Sequence, residues 1–279
     1  MKTSPVKLAE GREAEILSWG PNTVLRLYRL PGDRDRADRE MIVLQAVRSA
    51  LPFVPAALER VEWDGRPGVV MERVEGRDLL TEIGRRPWRL LELAAVTGRV
   101  HAEIHRLKVP ERFPSLREVV EHRIRLSAAI PEEPLRRAAL EQLGRLPDGN
   151  ELCHGDFHPA NILLAARGPV VIDWGFATRG PAISDFARTT LMMRVGSFPP
   201  GAPAVARWGS WMGRGVLCVA YRRAYKSKCP FDVATLRRWE FVRGVERFAD
   251  EIPEERFALL REVKKLQRKI AADSRSPTP

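Results

Sequence analysis

The chain has 279 residues, of which 44% are hydrophobic and 30% charged, so it can bury a sizeable core and is not wholly disordered. Its 47 Lys and Arg against 36 Asp and Glu give a formal net charge of +11, and its three cysteines form no Cys-x-x-Cys pair. No run approaches the roughly 18 apolar residues of a membrane span, and no apolar run follows a basic start, so we expect a cytoplasmic protein with reduced thiols.

The first part of the chain alternates strand-like segments with turn signals. Apolar and polar residues alternate in the extended segments, as in strands with one buried face. Asp64-Gly65 is a strong hairpin turn, and Pro31-Gly32-Asp33 precedes a segment whose apolar residues recur at helical spacing. The predicted strands are Glu13–Leu17, Thr23–Tyr28, Leu58–Trp63 and Pro67–Arg73, and the predicted helix is Ala37–Leu51.

After Gly76 long helical patterns dominate, and one strand-rich segment, Glu151–Asp173, interrupts them. The predicted helices are Trp88–Leu107, Ser115–Ala129, Glu132–Leu146, Ser184–Arg194, Ala204–Tyr225, Asp232–Ala249 and Glu254–Ala272. The sequence therefore predicts an α+β protein with a small antiparallel-sheet lobe over 1–73, a larger and mostly helical lobe over 74–272 and a disordered tail over 273–279.

The strand-rich segment carries the polar residues that matter for chemistry. It contains the run His154-Gly155-Asp156-Phe157-His158-Pro159-Ala160-Asn161, and the apolar run 170–172 then leads to Asp173. If that run pairs with the strand after Asn161, a loop carboxylate, an amide and a strand-end carboxylate converge on a small volume. Phosphoryl transfer from ATP needs such groups, because one must orient the attacking hydroxyl and others must hold Mg²⁺ on the phosphates.

Each of these three residues, taken singly, could merely make a turn or end a strand. Taken together, the spacing Asp-x-x-x-x-Asn followed by Ile-Asp-x-Gly favours the catalytic interpretation. This pattern resembles the catalytic loop and the metal-binding turn of the protein-kinase-like superfamily. Because His-Gly-Asp stands where protein kinases have His-Arg-Asp, the resemblance narrows to the aminoglycoside phosphotransferase and choline kinase branch, and within it to the aminoglycoside phosphotransferase family.

The resemblance covers most of the chain and implies a bilobal protein-kinase-like fold, with ATP or GTP and Mg²⁺ as cofactors. It makes Asp156 the catalytic base and Asn161 and Asp173 the metal ligands. The strand that holds Arg26 resembles the one whose basic residue binds the α- and β-phosphates, and Glu40 matches its acidic partner. The remaining nucleotide contacts that the resemblance implies come from a hinge-like segment with Glu72 and Val74 and from a phosphate loop at Gly11.

Three positions depart from the family pattern. Arg26 stands where Lys is more common, which keeps the charge but changes its geometry. No Gly-x-Gly-x-x-Gly precedes the strand of Arg26, so Gly11 could equally be an ordinary turn residue. Trp174 replaces the middle Phe of Asp-Phe-Gly.

The expected substrate is a small molecule rather than a peptide. The connection from Asp173 to the helix near Ser184 is short, and Gly155 replaces the Arg that would pair with a phosphorylated activation segment. We therefore expect an enzyme that uses a nucleotide and a small hydroxylated acceptor, an antibiotic or a metabolite, and moves the γ-phosphoryl group to its hydroxyl.

Two other functions stay open. One is a catalytically silent kinase-like protein that binds a nucleotide or a partner without turnover. The other is a basic scaffold for anionic partners. Basic clusters interleaved with exposed aromatic residues, which nucleic-acid binding would favour, are not found in the sequence.

Four further residues have alternative roles. His101 and His105 lie four apart on a predicted helix without the spacing of a zinc protease, so packing in the core or between the lobes is the default interpretation. His158 is an alternative proton acceptor. Asp185, near a predicted helix start, is interpreted as a cap or a loop anchor.

The segment between Asp185 and Asp232 contains no acidic residue. Its basic residues are Arg188, Arg194, Arg207, Arg214, Arg222, Arg223, Lys226 and Lys228. Aminoglycosides are polycations, so this stretch argues mildly against such an acceptor unless it forms a solvated outer face. Carboxylates of the last helices could still line a cationic pocket.

Overall fold

The computed structural model describes residues 5–11, 13–197 and 204–273, with the side chains of 204–212 left out. These residues form two compact units. The first comprises the described residues within Met1–Glu82 together with Pro159–Ala177, and the second comprises Ile83–His158 and the described residues within Thr178–Pro279. The lobe boundaries given above stay predictions.

Strands and helices cover most of the described residues. The strands are β1 (Lys7–Glu10), β2 (Ala14–Gly20), β3 (Thr23–Tyr28), β4 (Ala57–Trp63), β5 (Arg66–Glu72), β6 (Arg77–Asp78), β7 (Glu151–Cys153), β8 (Ile162–Ala165), β9 (Gly168–Val171) and β10 (Thr178–Gly180). The α-helices are α1 (Arg34–Val47), α2 (Leu79–Arg85), α3 (Leu90–His105), α4 (Leu116–Leu126), α5 (Glu133–Arg145), α6 (Ala182–Val195), α7 (Ala204–Lys226), α8 (Val233–Arg247) and α9 (Arg256–Asp273).

The first unit is built on an antiparallel sheet of five strands in the order β1-β2-β3-β5-β4. One face of it packs the apolar side chains of Leu17, Leu25, Leu27 and Val70 together. A smaller antiparallel sheet, in the order β6-β8-β9, belongs to the same unit. The unit therefore contains both β3, with Arg26, and the hairpin that leads to the predicted metal ligands.

The second unit is mostly helical, with β7 and β10 paired as a short antiparallel ribbon. Helices α3 and α7 pack closely at Gly98, where an added Cβ would lie 2.6 Å from the carbonyl oxygen of Tyr221. A side chain at position 98 would therefore push the two helices apart.

The sequence misplaced some element boundaries. Strand β1 was not predicted, because its four residues are all exposed and show no alternation of burial. Helix α1 spans Arg34–Val47 rather than 37–51, since a 3₁₀ turn at Pro31–Asp33 leads directly into it. The short helix α2 was also missed.

The predicted tail falls largely outside the described residues, although Asp273 is the last residue of α9. Within 5–11, 13–197 and 204–273, none of the helices combines the length and apolar character that crossing a bilayer requires.

Candidate active site

Strand β3 presents its side chains alternately to two sides of the sheet. Leu25 and Leu27 join the apolar cluster, as the period-two pattern predicts. Tyr28 and Arg26 point the other way, where the Tyr28 hydroxyl donates to Glu40 Oε2 at 2.8 Å. The alternation thus places Arg26 beside the acidic residue of α1.

Arg26 is buried and is shared between two carboxylates. Its Nε lies 3.3 Å from Glu40 Oε2, which confirms the predicted ion pair. Its Nη2 donates to Asp173 Oδ1 at 2.6 Å, a contact that the sequence did not predict. Because Arg26 is only 7% exposed, both partners are needed to compensate the lost hydration of its guanidinium.

Glu40 joins three segments of the first unit. Besides Arg26 and Tyr28, it accepts a hydrogen bond from the backbone nitrogen of Trp174 at 3.2 Å. Burial raises the pKa of the Glu40 carboxyl, and the neighbouring Arg26 only partly offsets this. Glu40 therefore fixes Arg26 and the residue after Asp173 at the same time.

The β8–β9 hairpin brings the two predicted metal ligands to one end of a pair of strands. Ile162 lies opposite Val171, and the Ile172 nitrogen donates to the Asn161 carbonyl at 3.0 Å. Asn161 precedes β8 and Asp173 follows β9, so the register places them on the same edge. Asp173 has a φ of +67°, a backbone conformation that non-glycine residues adopt rarely and that is frequent at functional sites.

Asn161 and Asp173 fit a hard divalent cation in their donor chemistry. An amide oxygen and a carboxylate oxygen are the ligand types that Mg²⁺ takes. The Asp173 side chain is 27% exposed, so it is not fully enclosed by protein.

The other predicted nucleotide contacts lie in connections of the first unit. Gly11 is in the turn between β1 and β2, where its nitrogen donates to the Ala14 carbonyl at 2.9 Å. Glu72 ends β5 and binds Arg167, and Val74 is half-buried in the segment that follows. Their contact with a nucleotide stays a prediction.

In the second unit, Asp185 anchors the loop that holds the predicted base. Its Oδ2 accepts from the His154 nitrogen at 2.6 Å and its Oδ1 from the Gly155 nitrogen at 3.0 Å. This confirms the loop-anchor interpretation of Asp185.

The same carboxylate accepts from two histidines of α3. Asp185 Oδ2 lies 3.1 Å from His101 Nε2 and 3.3 Å from His105 Nε2. The Nδ1 atoms face the hydroxyls of Tyr221 and Tyr225 of α7, each at 2.6 Å. Both ring nitrogens of each histidine thus have a side-chain partner, and both side chains are buried, in agreement with the predicted packing role.

Burial and hydrogen bonding together set the protonation states of His101 and Asp185. Burial lowers the pKa of His101 to about 3, so the ring is neutral at physiological pH. Burial alone would raise the pKa of Asp185, but its hydrogen bonds to His101 and His105 lower it well below its usual range. A neutral histidine then donates through Nε2–H to the carboxylate and accepts from tyrosine at Nδ1.

Asp156 lies in the anchored loop with its side chain 26% exposed. Its Oδ2 is 3.6 Å from His158 Nε2, and its Oδ1 is 4.0 Å from Arg188 Nη2 of α6. Burial raises the pKa of the Asp156 carboxyl, but the neighbouring His158 and Arg188 outweigh this and hold it below its usual range. The group is therefore an accessible, ionised carboxylate.

The basic stretch after Asp185 is not simply a solvated face. Arg188 is buried, and Arg194 and Arg222 approach the same Oε1 atom of Glu240, at 3.2 and 3.3 Å. Carboxylates of other helices thus neutralise part of its charge, and the stretch by itself does not define the acceptor.

The sequence did not predict that Arg188 lies beside Asp156. The only local signal was its position three residues after Asp185, which places both side chains on one face of α6.

Comparisons with known proteins identify the family of the chain. The sequence model of the phosphotransferase enzyme family matches residues 7–225. The chain belongs to this family. No curated protein sequence gives a significant match.

Solved structures with the same fold include other phosphotransferases. A thermostable mutant of aminoglycoside phosphotransferase APH(4)-Ia in its apo form has a TM-score of 0.64 and 16% identity, over 99% of this chain and 96% of its own. The amicoumacin kinase hAmiN in complex with AMP-PNP, Ca²⁺ and Ami has a TM-score of 0.62 and 15% identity, over 96% and 89%.

An aminoglycoside-3'-phosphotransferase of type VIII has a TM-score of 0.61 and 20% identity, over 89% of this chain and 93% of its own. At these identities the likeness shows the shared kinase-like α+β fold, while family membership makes this chain a phosphotransferase.

Proposed function

We propose that this phosphotransferase moves the γ-phosphoryl group of ATP to a hydroxyl of a small molecule in a reaction that depends on Mg²⁺. The observation that carries the proposal is the group formed by Arg26, Glu40 and Asp173. One buried guanidinium is held at 2.6 and 3.3 Å from two carboxylates, and one of those carboxylates follows a strand beside Asn161. The relatives named above support a nucleotide as donor, since the amicoumacin kinase was solved with AMP-PNP.

In the first unit, Arg26 would bind phosphate oxygens, with Glu40 fixing its direction. Asn161 and Asp173 would hold Mg²⁺, which when bound neutralises charge on the phosphates. Arg26 would exchange part of its contact with Asp173 for contact with phosphate. A guanidinium suits this exchange because several N–H groups point from one plane.

In the second unit, Asp156 would orient the acceptor hydroxyl and accept its proton. The lowered pKa of this carboxyl makes it a weak base. Phosphoryl transfer passes through a loose transition state that demands little proton removal. Orientation of the hydroxyl would therefore be the main contribution of Asp156, with the proton accepted late in the step.

One observation favours a second candidate function, the catalytically silent nucleotide-binding protein. Arg26 Nη2 donates to Asp173 Oδ1, so one oxygen of a predicted metal ligand is already bonded to the protein. A protein that kept this bond with a nucleotide bound would have one Asp173 oxygen fewer for the metal.

The deciding experiment is an acceptor screen with ATP or GTP, with and without Mg²⁺, over antibiotics, amino alcohols and sugars. We expect metal-dependent formation of a phosphorylated product from at least one compound, and loss of that product in Asp156→Asn. Nucleotide binding by calorimetry without product from any acceptor would favour the silent protein. Including both aminoglycosides and uncharged antibiotics tests whether the basic stretch after Asp185 disfavours polycations.

A further inference from the structure

Helix α6 holds the loop of Asp156 at three points. Asp185 accepts from the nitrogens of His154 and Gly155, and the Thr189 hydroxyl donates to the Phe157 carbonyl at 2.9 Å. Arg188 lies between these two contacts on the same helix, with its Nη2 4.0 Å from Asp156 Oδ1. The backbone on both sides of Asp156 and its carboxylate are thus held by one helix.

We propose that Arg188 is a positioning residue that fixes the carboxylate of Asp156 for the acceptor hydroxyl. The inference rests on the proposed function, in which Asp156 is the base. It adds a residue to that function: the direction of the base would be set by a side chain outside the catalytic loop.

Arg188 can act in this way because it is itself held in place. Its Nη1 donates to Glu246 Oε2 and its Nη2 to Asp250 Oδ2, both at 3.0 Å. The residue is 6% exposed, so its guanidinium cannot move into solvent. A buried, doubly bonded arginine presents a fixed edge to Asp156, unlike a surface ion pair that pays side-chain entropy for each contact.

Among the described residues, the arginines and carboxylates that Arg188 connects are equal in number when Asp156 is included. Ion pairs within 4 Å connect four arginines to three carboxylates and then, through Arg188, to Asp156. We call this group the ionic cluster, and its members are Arg123, Arg188, Arg243, Arg247, Glu246, Asp250, Glu255 and Asp156. Asp156 is the fourth carboxylate and the most exposed of the four.

The two oxygens of Asp156 face different neighbours. His158, from the same loop, faces Oδ2, while Arg188, from α6, faces Oδ1. Behind Arg188 lie Glu246 of α8 and Asp250 of the turn that follows. His154 receives the hydrogen bond of the Asp156 backbone nitrogen at 3.2 Å. The two oxygens of the carboxylate thus lie beside side chains from different elements.

Arg123 provides a matched control. It pairs with the same two acids, with its Nε 2.8 Å from Glu246 Oε1 and its Nη2 bonded to Asp250, and its ion pairs are with those acids rather than with Asp156. Replacing Arg123 removes the same charge from the cluster without removing the contact to the base. Stability losses common to both variants can then be separated from effects on Asp156.

The experiment measures hydrolysis of MgATP with water as the acceptor, because it requires no knowledge of the natural one. Arg188→Met should lower the turnover number by a factor on the order of 10², the usual cost of a misplaced reacting group. Arg188→Lys should retain about a tenth of the wild-type rate, since an ammonium keeps the charge but cannot bridge three carboxylates. Arg123→Met and Arg123→Lys should stay within about 3-fold of wild type.

A double-mutant cycle separates positioning from a structural role. In the Asp156→Asn background, Arg188→Met should lower turnover no further, because the group it positions is gone. Equal factors in both backgrounds, or an equal fall for Arg123→Met, would overturn the proposal. Thermal unfolding of each variant is measured in parallel. If Arg188→Met does not fold, the same comparison is made between Arg188→Lys and Arg123→Lys.

A readout without turnover keeps the inference distinct from the proposed function. Carboxyl NMR of Asp156, assigned by its loss in Asp156→Asn, should show its titration midpoint moving to higher pH in Arg188→Met and not in Arg123→Met, since of these two arginines it is Arg188 that lies beside the carboxylate. An unmoved midpoint in Arg188→Met contradicts the contact. If the midpoint moves while the acceptor screen yields no product, the positioning contact stands and the proposed function fails.

Discussion

The two units contain charged groups of different kinds. In the first, the single guanidinium of Arg26 serves both Glu40 and Asp173. In the second, the ionic cluster matches four arginines with four carboxylates, one of which is Asp156. A group with surplus negative charge suits an incoming cation, whereas a balanced one holds its members in fixed positions. Under the proposed function, the first group would exchange partners when nucleotide and metal bind, and the second would keep its partners.

The largest effect should come from removing the surplus carboxylate. Asp173→Ala should abolish Mg²⁺-dependent nucleotide binding while the protein stays folded, because Asp173 is proposed as a direct oxygen ligand of the cation. Calorimetry with ATP, with and without Mg²⁺, measures this. Asp38→Ala, which removes an exposed carboxylate of the same unit, is the control. Unchanged metal-dependent affinity in Asp173→Ala would show that the group of Arg26, Glu40 and Asp173 does not bind the cation.

The next effect concerns the balanced cluster. Asp156→Asn should lower turnover by a factor on the order of 10² or more and keep ATP affinity within a few-fold, as expected for loss of a general base. The control is Asp148→Asn, an exposed carboxylate of the same unit. Turnover near the wild-type rate would remove Asp156 from the chemistry and leave the cluster a purely structural feature.

A smaller effect on ATP affinity is expected from substitutions of Arg26. Arg26→Ala should weaken ATP binding about 10-fold or more, the usual worth of a hydrogen bond to a charged group. Arg26→Lys should retain much of the affinity, and Glu40→Ala should resemble Arg26→Ala because Glu40 directs the guanidinium. Arg66→Ala removes another cation of the same sheet and should be nearly silent. Wild-type ATP affinity in Arg26→Ala would remove this residue from the site.

The last expected effect is on stability rather than on binding or turnover, and it is a pH dependence in the second unit. The pKa of His101 falls from 6.5 to about 3 on folding, so only the unfolded chain takes up its proton between these values. Stability is then complete above about pH 6.5 and declines as the pH falls towards 3. Urea unfolding should show a loss of about 2 kcal/mol between pH 6.5 and 5 from this residue.

His101→Gln should reduce that slope, and His122→Gln, at an exposed position of α4, should leave it unchanged. An identical slope in wild type and His101→Gln would show that the buried histidine does not titrate on unfolding as argued. The measurement would also sharpen the comparison, because it probes the anchor of the loop without touching the ionic cluster.

Much of the site was predictable because its signals are local. The spacing from Asp156 to Asn161 and the apolar run before Asp173 fixed the hairpin that brings Asn161 and Asp173 to one edge. Alternation in β3 fixed which face Arg26 occupies. Periods of two or 3.6 residues follow from the backbone alone, so they can be read without knowing the neighbours of an element.

The sequence by itself therefore determined the family, the kinase-like fold and the identity of the candidate base and metal ligands. Only the tertiary structure decided which charges meet: Arg26 with Asp173, 147 residues apart, and Arg188 with Glu246 and Asp250, 58 and 62 residues apart. Periodicity shows which face of an element is buried, but it does not show which other element packs against that face. Packing therefore decides which of the many charged residues become partners.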